Sequence, residues 1–194
     1  MKEVLIVSLQ ELLLQGTEEK VHEILAAFRC KKDSDIESFL RNRAIEFERI
    51  AKSRTYLVCD LEEIKNKRFF ILGYFALSLK VLVLPDDMSV RGRKELDGFS
   101  GKIYGQKIRE IPCYLIGQLS RNDDATKEDL SGKGLIDLAL SVIQMSVAAV
   151  GGRCVLVECH NEETLESFYK RNGFRRIMDE PDDTIPMVQM LRMI

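Results

Sequence analysis

From Asp33 to Lys52 the apolar residues Ile36, Phe39, Leu40, Ala44, Phe47, Ile50 and Ala51 fall three or four apart. Arg41, Arg43, Glu46, Glu48 and Lys52 lie mostly elsewhere on the wheel, so the segment predicts an amphipathic helix on a sheet, opening at Asp33, Ser34 or Asp35. Ahead of it, residues 2–14 are apolar enough for an opening strand. Thr17 followed by Glu18, Glu19 and Lys20 marks the capped start of a helix running towards Phe28. Behind it, residues 55–59 and 69–84 read as two strands, joined as a hairpin through Lys65-Asn66-Lys67.

Residues 85–110 lose this periodicity. They take up Gly92, Gly98, Gly101 and Gly105 together with Arg91, Arg93, Lys94, Lys102, Lys107 and Arg109, which predicts a long acceptor-side loop. Residues 111–120 form the next strand, and Gly117 inside it implies a bulge or a close backbone approach. A long apolar helix from about Gly134 and a near-continuous apolar strand over 153–159 complete a βαβ unit with a parallel strand pair. A last helix over 162–171 ends at Asn172-Gly173, where glycine supplies a left-handed cap. Closing strands are expected over 174–178 and 185–193, linked by an acidic turn over 179–183.

Composition narrows the class. The chain has 194 residues, 45% of them hydrophobic, enough for one compact domain with its own core. Its 29 basic and 31 acidic residues give a net charge of −2, which excludes a general nucleic-acid binder and leaves only local basic surface. Five cysteines (Cys30, Cys59, Cys113, Cys154, Cys159) with no Cys-x-x-Cys pair argue against a disulfide framework or a zinc site and fit a reducing, cytoplasmic setting. No signal-peptide pattern opens the chain, and the 16-residue apolar run to Val150 is short of a membrane span of about 20 residues, so it reads as a buried helix.

The chemistry concentrates at Asp129-Leu130-Ser131-Gly132-Lys133-Gly134, between a strand and a helix. Small residues at a helix N-terminus let successive amide N–H groups face an anion where the helix dipole is positive, the geometry of a phosphate site. The segment lacks the Gly-Lys-Ser/Thr ending of a P-loop, and the third glycine and ribose-binding acid of a dinucleotide fingerprint are missing.

Four segments together resemble the GNAT family of acetyl-CoA-dependent N-acetyltransferases: IPCYLIGQLS at 111–120, SGKGL at 131–135, CVLVEC at 154–159 and SFYKRNGF at 167–174. The resemblance implies an α/β single domain over 1–194 with a mixed, centrally splayed sheet flanked by helices. It implies that Gln118, Leu119 and Ser120 offer backbone groups to the pantetheine arm of acetyl-CoA, and that Asp129, Leu130, Ser131, Gly132, Lys133 and Gly134 wrap its pyrophosphate. Asp129 stands where the family pattern has Gln or Arg, with Lys133 as compensating charge. Asn161 matches a cofactor hydrogen-bonding position, and Tyr169 the tyrosine that protonates the departing thiolate. No metal enters this chemistry.

The resemblance implies direct acetyl transfer to a primary amine of a small molecule or protein. Phe28-x-Cys30 and the helix carrying Phe39, Leu40 and Ala44 look like the branch that includes toxins acetylating aminoacyl-tRNA. For that alternative acceptor, Arg41, Arg43, Arg49, Lys52, Arg54 and the basic residues of 91–109 would supply phosphate-holding surface. A non-catalytic acyl-CoA-binding module is the other alternative. Family members often dimerise, and an exposed closing strand would allow it here. Glu110, His22 and His160 read as surface or structural residues rather than a general base.

Overall fold

The computed structural model describes residues 2–180 and 187–194. The chain opens with strand β1 (Val4–Ser8), but helix α1 (Leu9–Gln15) begins at once. The expected strand over 2–14 is therefore corrected: Leu9, Leu12 and Leu13 sit on one helical face and pack into a core. Helix α2 (Glu18–Ala26) follows Thr17, whose carbonyl, not its side chain, meets the Val21 amide. Asp33 caps α3 (Ser34–Ser38), its Oδ1 accepting the amides of Asp35 and Ile36 at 3.0 and 3.2 Å. The helix then widens through a π turn, Phe39–Arg43, into α4 (Ala44–Arg49). That extra residue turns Glu48 inward. Rather than lying on the polar face, Glu48 is buried and accepts from Arg54 Nη1 at 2.7 Å and the Thr55 amide at 2.9 Å.

Strands β2 (Arg54–Asp60) and β3 (Ile71–Val83) are antiparallel, as expected. Their link is not a simple hairpin, because Asp60 caps a short helix, α5 (Leu61–Lys65). The expected loop over 85–110 is corrected in the same way. Ser89 caps α6 (Val90–Asp97), which ends at Gly98 in a left-handed conformation, φ +88°, and a small hairpin of β4 (Lys102–Ile103) and β5 (Gln106–Lys107) follows. Helix α6 has too few apolar residues to show a stripe, so its caps were its sequence signal. Next come β6 (Glu110–Arg121), α7 (Gly132–Val150), β7 (Cys154–His160), α8 (Glu163–Arg171), β8 (Arg175–Glu180) and β9 (Met187–Met193). The 179–183 turn and the start of the 185–193 strand fall in part outside the described residues.

Two compact units divide the chain, residues 1–78 with 117–141 and residues 79–116 with 142–194. In the first, the sheet order is β1-β2-β3-β6, all of β1 to β3 antiparallel. Helices α1 to α4 close its core around Phe28, Phe39 and Tyr74. The Phe28 ring meets Tyr74 edge-on at 5.0 Å, and Phe39 stacks on Tyr74 at 6.5 Å. In the second, the order is β3-β6-β7-β9-β8. Here β6 and β7 run parallel, β9 is antiparallel to both its neighbours, and a core forms around Leu82, Leu96, Ile111, Cys113, Cys154 and Leu191. Helix α7 is long and apolar enough to cross a membrane by length and composition alone. The expectation that it is buried along its length is corrected, because Leu135, Ile136, Ala139, Leu140, Val142 and Ile143 are buried while Met145 and Val150 are exposed.

Candidate active site

Within the first unit, the end of β6 is held by unusually close contacts. A Cβ at Gly73 would lie 2.8 Å from the Ser120 carbonyl oxygen and 2.9 Å from Leu130 Cδ2, so only glycine lets β3 approach so near. Asn122, just past β6, is 2% exposed. Its Nδ2 donates to the Ile71 carbonyl at 2.8 Å, while its Oδ1 accepts the amides of Arg29 and Asp124 at 3.2 Å each. Asn122 thus ties the strand end to β3 and to the segment after α2, a role sequence reading missed. An asparagine after a strand and before Asp123-Asp124 was its signal.

On this strand end Gln118, Leu119 and Ser120 are half-buried. Gln118 Oε1 lies 3.5 Å from the Tyr74 hydroxyl, which donates to the Ile36 carbonyl at 2.6 Å. Burial pushes the Tyr74 phenol well above its ordinary range. The Ser120 hydroxyl donates to the Arg121 carbonyl at 3.1 Å and lies 3.4 Å from Cys30 Sγ. The side chains are thus engaged locally, which leaves the backbone as the part of this strand suited to a ligand.

The loop that follows is built from a reciprocal turn and a helix cap. Asp129 Oδ2 accepts both the Thr126 amide and the Thr126 hydroxyl at 2.8 Å, and Thr126 Oγ1 accepts the Asp129 amide at 3.3 Å. Those bonds, with Lys2 nearby, hold the Asp129 carboxyl below the usual carboxylate range. Two residues on, Ser131 Oγ accepts the Gly134 amide at 3.0 Å and the Ser131 carbonyl accepts the Leu135 amide at 3.0 Å. Ser131 is the N-cap of α7. Since the first four amides of a helix lack intrahelical partners, this leaves those of Gly132 and Lys133 for an anion, at the positive end of 19 aligned residues. Leu130 is buried and anchors the loop. Lys133 does not compensate Asp129 as expected, because its ammonium pairs outward with Asp137 at 2.6 Å, one helical turn on.

Within the second unit, pairing of β6 with β7 covers Tyr114↔Val155 to Ile116↔Val157, while β7 continues to His160. Tyr169 lies on α8, 8% exposed, against the rings of Phe168 and Phe174 at 5.2 and 5.6 Å. Burial pushes its phenol well up, with Cys159 adding to the effect. Among the described residues none hydrogen-bonds the Tyr169 hydroxyl, so its proton is available. Asn161 follows β7 and is exposed; its Oδ1 accepts from Arg176 Nη1 at 3.3 Å, and Glu162 rather than Asn161 is the N-cap of α8.

A further cluster in this unit escaped sequence reading. Glu158 pairs with Lys80 and accepts from Gln189 Nε2 at 2.8 Å, and Gln189 Oε1 is buried with no partner among the described residues. Its signal was one acid inside the apolar run CVLVEC. Among the described residues no group of His, Cys, Asp and Glu is gathered to hold a metal ion.

No protein-family model matches the sequence, and no curated protein matches it either. Solved structures do match. A bacterial toxin aligns with TM-score 0.70 at 17% identity over 100% of this chain and 92% of its own. AtaTR bound with AcCoA aligns with TM-score 0.64 at 21% identity over 97% and 94%. AtaT complexed with acetyl-methionyl-tRNAfMet gives 0.62 at 19% identity over 95% and 94%. This chain has the fold of those toxins. The mixed, splayed α/β architecture that the GNAT resemblance implied is therefore the architecture found. Within the toxin fold, the strand end, the capped helix and the Tyr169 helix of this chain are built from its own contacts, described above.

Proposed function

We propose that this chain is an N-acetyltransferase that moves acetyl from acetyl-CoA to the amine of an aminoacyl-tRNA. The observation that carries the reading is the Ser131-capped N-terminus of α7, with two uncommitted amides, at the end of the loop that follows β6. Extended backbone at residues 118–120 pairs with a pantetheine amide chain, and the amides of Gly132 and Lys133 take the pyrophosphate. Asn161 donates to the cofactor. What supports this acceptor is that AtaT, a structure of similar fold, has been solved with acetyl-methionyl-tRNAfMet, and AtaTR with AcCoA.

In the reaction the neutral amine attacks the thioester carbonyl carbon, and the C–S bond breaks as the tetrahedral intermediate collapses. Tyr169 gives its proton to the departing thiolate, and the amine's proton passes to water. A phenol held neutral by burial keeps that proton across the physiological range. The two units act as one domain in a cytoplasmic protein. The second reading, a small-molecule or protein amine as acceptor, is favoured by the net charge of −2. It is also favoured by the pairing of the expected phosphate-holding cations, since Arg41, Arg49 and Arg54 pair with Glu37, Glu18 and Glu48.

The test is thiol release from acetyl-CoA with four acceptor pools: charged tRNA, polyamines, amino acids and peptides. Release with charged tRNA alone supports the first reading. Release only with the others supports the second, and calorimetric acetyl-CoA binding without release would leave the non-catalytic module.

A further inference from the structure

The hairpin of the second unit carries side chains that no packing or folding role explains. Tyr104 sits at its tip, 101% exposed and with φ +50°, and Phe99 is 88% exposed. Around them, residues 99–109 hold Lys102, Lys107 and Arg109 and no acid, in a chain whose net charge is −2. Two aromatic rings thus stand in water beside three cations on one short stretch of chain.

The base of this hairpin, by contrast, is rigid. Arg93 is 1% exposed and donates to the carbonyls of Met88 at 3.0 Å and Asp86 at 3.3 Å, and also to those of Ile108 and Pro85. All these partners are backbone oxygens, so carbonyls rather than an ion pair hold the guanidinium in place among the described residues. Ile108 is buried in the core of this unit, its amide donates to the Gly101 carbonyl at 3.1 Å, and the Arg109 carbonyl accepts the Leu84 amide at 2.8 Å. Gly101 admits no side chain, since a Cβ would lie 2.1 Å from the Val90 carbonyl oxygen. A cavity of about 400 Å³ opens beside it, lined by Asp86, Arg93, Gln106, Lys107 and Arg109. Three cations face one carboxylate there.

We propose that this hairpin and its cavity dock the RNA part of the acceptor, Tyr104 stacking on an unpaired base while Lys107 and Arg109 take adjacent phosphates. Single-stranded RNA offers a flat π face and a phosphate within one nucleotide, which matches an aromatic tip above a cationic cavity. Every nucleotide carries both a base and a phosphate, whereas an acidic protein segment supplies a flat face only where an aromatic or arginine side chain stands next to its acids. The inference rests on the aminoacyl-tRNA reading above.

The test measures binding of charged tRNA over a salt series, with thiol release in parallel, for the full chain and its variants. Tyr104→Ala is expected to weaken tRNA binding roughly 5- to 100-fold, the range for loss of one base stack. Lys107→Gln with Arg109→Gln is expected to flatten the salt dependence by roughly one unit of slope for each phosphate these side chains neutralise. Leu14→Ala, 79% exposed on α1, serves as the surface control and is expected to change neither. Calorimetric acetyl-CoA binding equal to that of the unaltered chain shows that each variant is folded. If the unaltered chain binds and acetylates charged tRNA and the hairpin variants do so equally well, the hairpin proposal falls and the acceptor reading stands. If the unaltered chain neither binds nor acetylates tRNA, both fall.

Discussion

The carbonyl of Tyr169 accepts the Phe174 amide at 3.1 Å, and the two rings meet edge to face with centroids 5.6 Å apart. With the Gly173 amide donating to Lys170 at 3.0 Å and Gly173 at φ +84°, this is a Schellman cap with its customary apolar contact. The Phe-Tyr-x-x-x-Gly-Phe pattern is thus a helix stop that also fixes the ring of Tyr169. Gly173→Ala forces a side chain into the left-handed region at about 1–2 kcal/mol, which corresponds to a fall in Tm of about 2–8 °C for this size. Thermal unfolding checks the loss, and the turnover rate is expected to fall more than acetyl-CoA affinity.

Tyr169→Phe removes a hydroxyl that no described residue bonds, so Tm is expected to hold. Thiol release at saturating acetyl-CoA is expected to drop about 100- to 10,000-fold, the usual contribution of a positioned acid. Because the folded pKa is raised, Tyr169 stabilises the fold fully below the unfolded value near 10, and that contribution is lost as pH rises beyond it. Rate measurements up to pH 9.5 are therefore expected to show no loss of this acid.

Asp129 separates two effects, a turn and a charge. Asp129→Asn keeps an acceptor for Thr126 while removing the carboxylate from the phosphate side, and calorimetry is expected to show acetyl-CoA binding at least as tight as before. Asp129→Ala loses the turn and is expected to weaken it. The lowered carboxyl means this contribution is present above about pH 4, the unfolded range, and disappears as pH falls through the folded value. Affinity from this source is expected to be flat from pH 5 to 9.

Ser131→Ala deletes the cap of α7 and is expected to cost about 1 kcal/mol, or about 2–4 °C in Tm. Gly134→Asp puts a carboxylate in the first helical turn, where bound phosphate would repel it. Acetyl-CoA binding is expected to be lost in calorimetry while circular dichroism stays unchanged.

All five cysteines are free and buried. Burial pushes the Cys59 thiol up to about 12 and that of Cys159 up to about 11. At pH 8 a thiol reagent is expected to titrate close to none in the native protein and all five after denaturation.

Much of the fold was legible because it is local. The βαβ unit over β6, α7 and β7, a helix start at Asp33, Ser34 or Asp35, and the stop at Gly173 follow from hydrophobic period and from residues that satisfy helix ends. Helix α6 and the hairpin after it escape a reading by periodicity, since one buried arginine ties them to backbone carbonyls 5 to 15 residues away. No periodicity encodes that. Glu48 and Glu158 escaped for a similar reason, each an acid whose burial depends on a cation or amide from another element.

The candidate site divides in the same way. By itself the sequence determined where a Gly-x-Gly helix start lies and which tyrosine ends up beside a glycine cap, because both follow from backbone groups needing partners within a few residues. Tertiary structure decided what those residues face: Asp129 towards Thr126, Lys133 towards Asp137, and Arg93 into the core instead of solvent. Direction is set by charges and carbonyls brought near by folding, and a single burial or pairing of this kind outweighs the weak local preference of any one side chain.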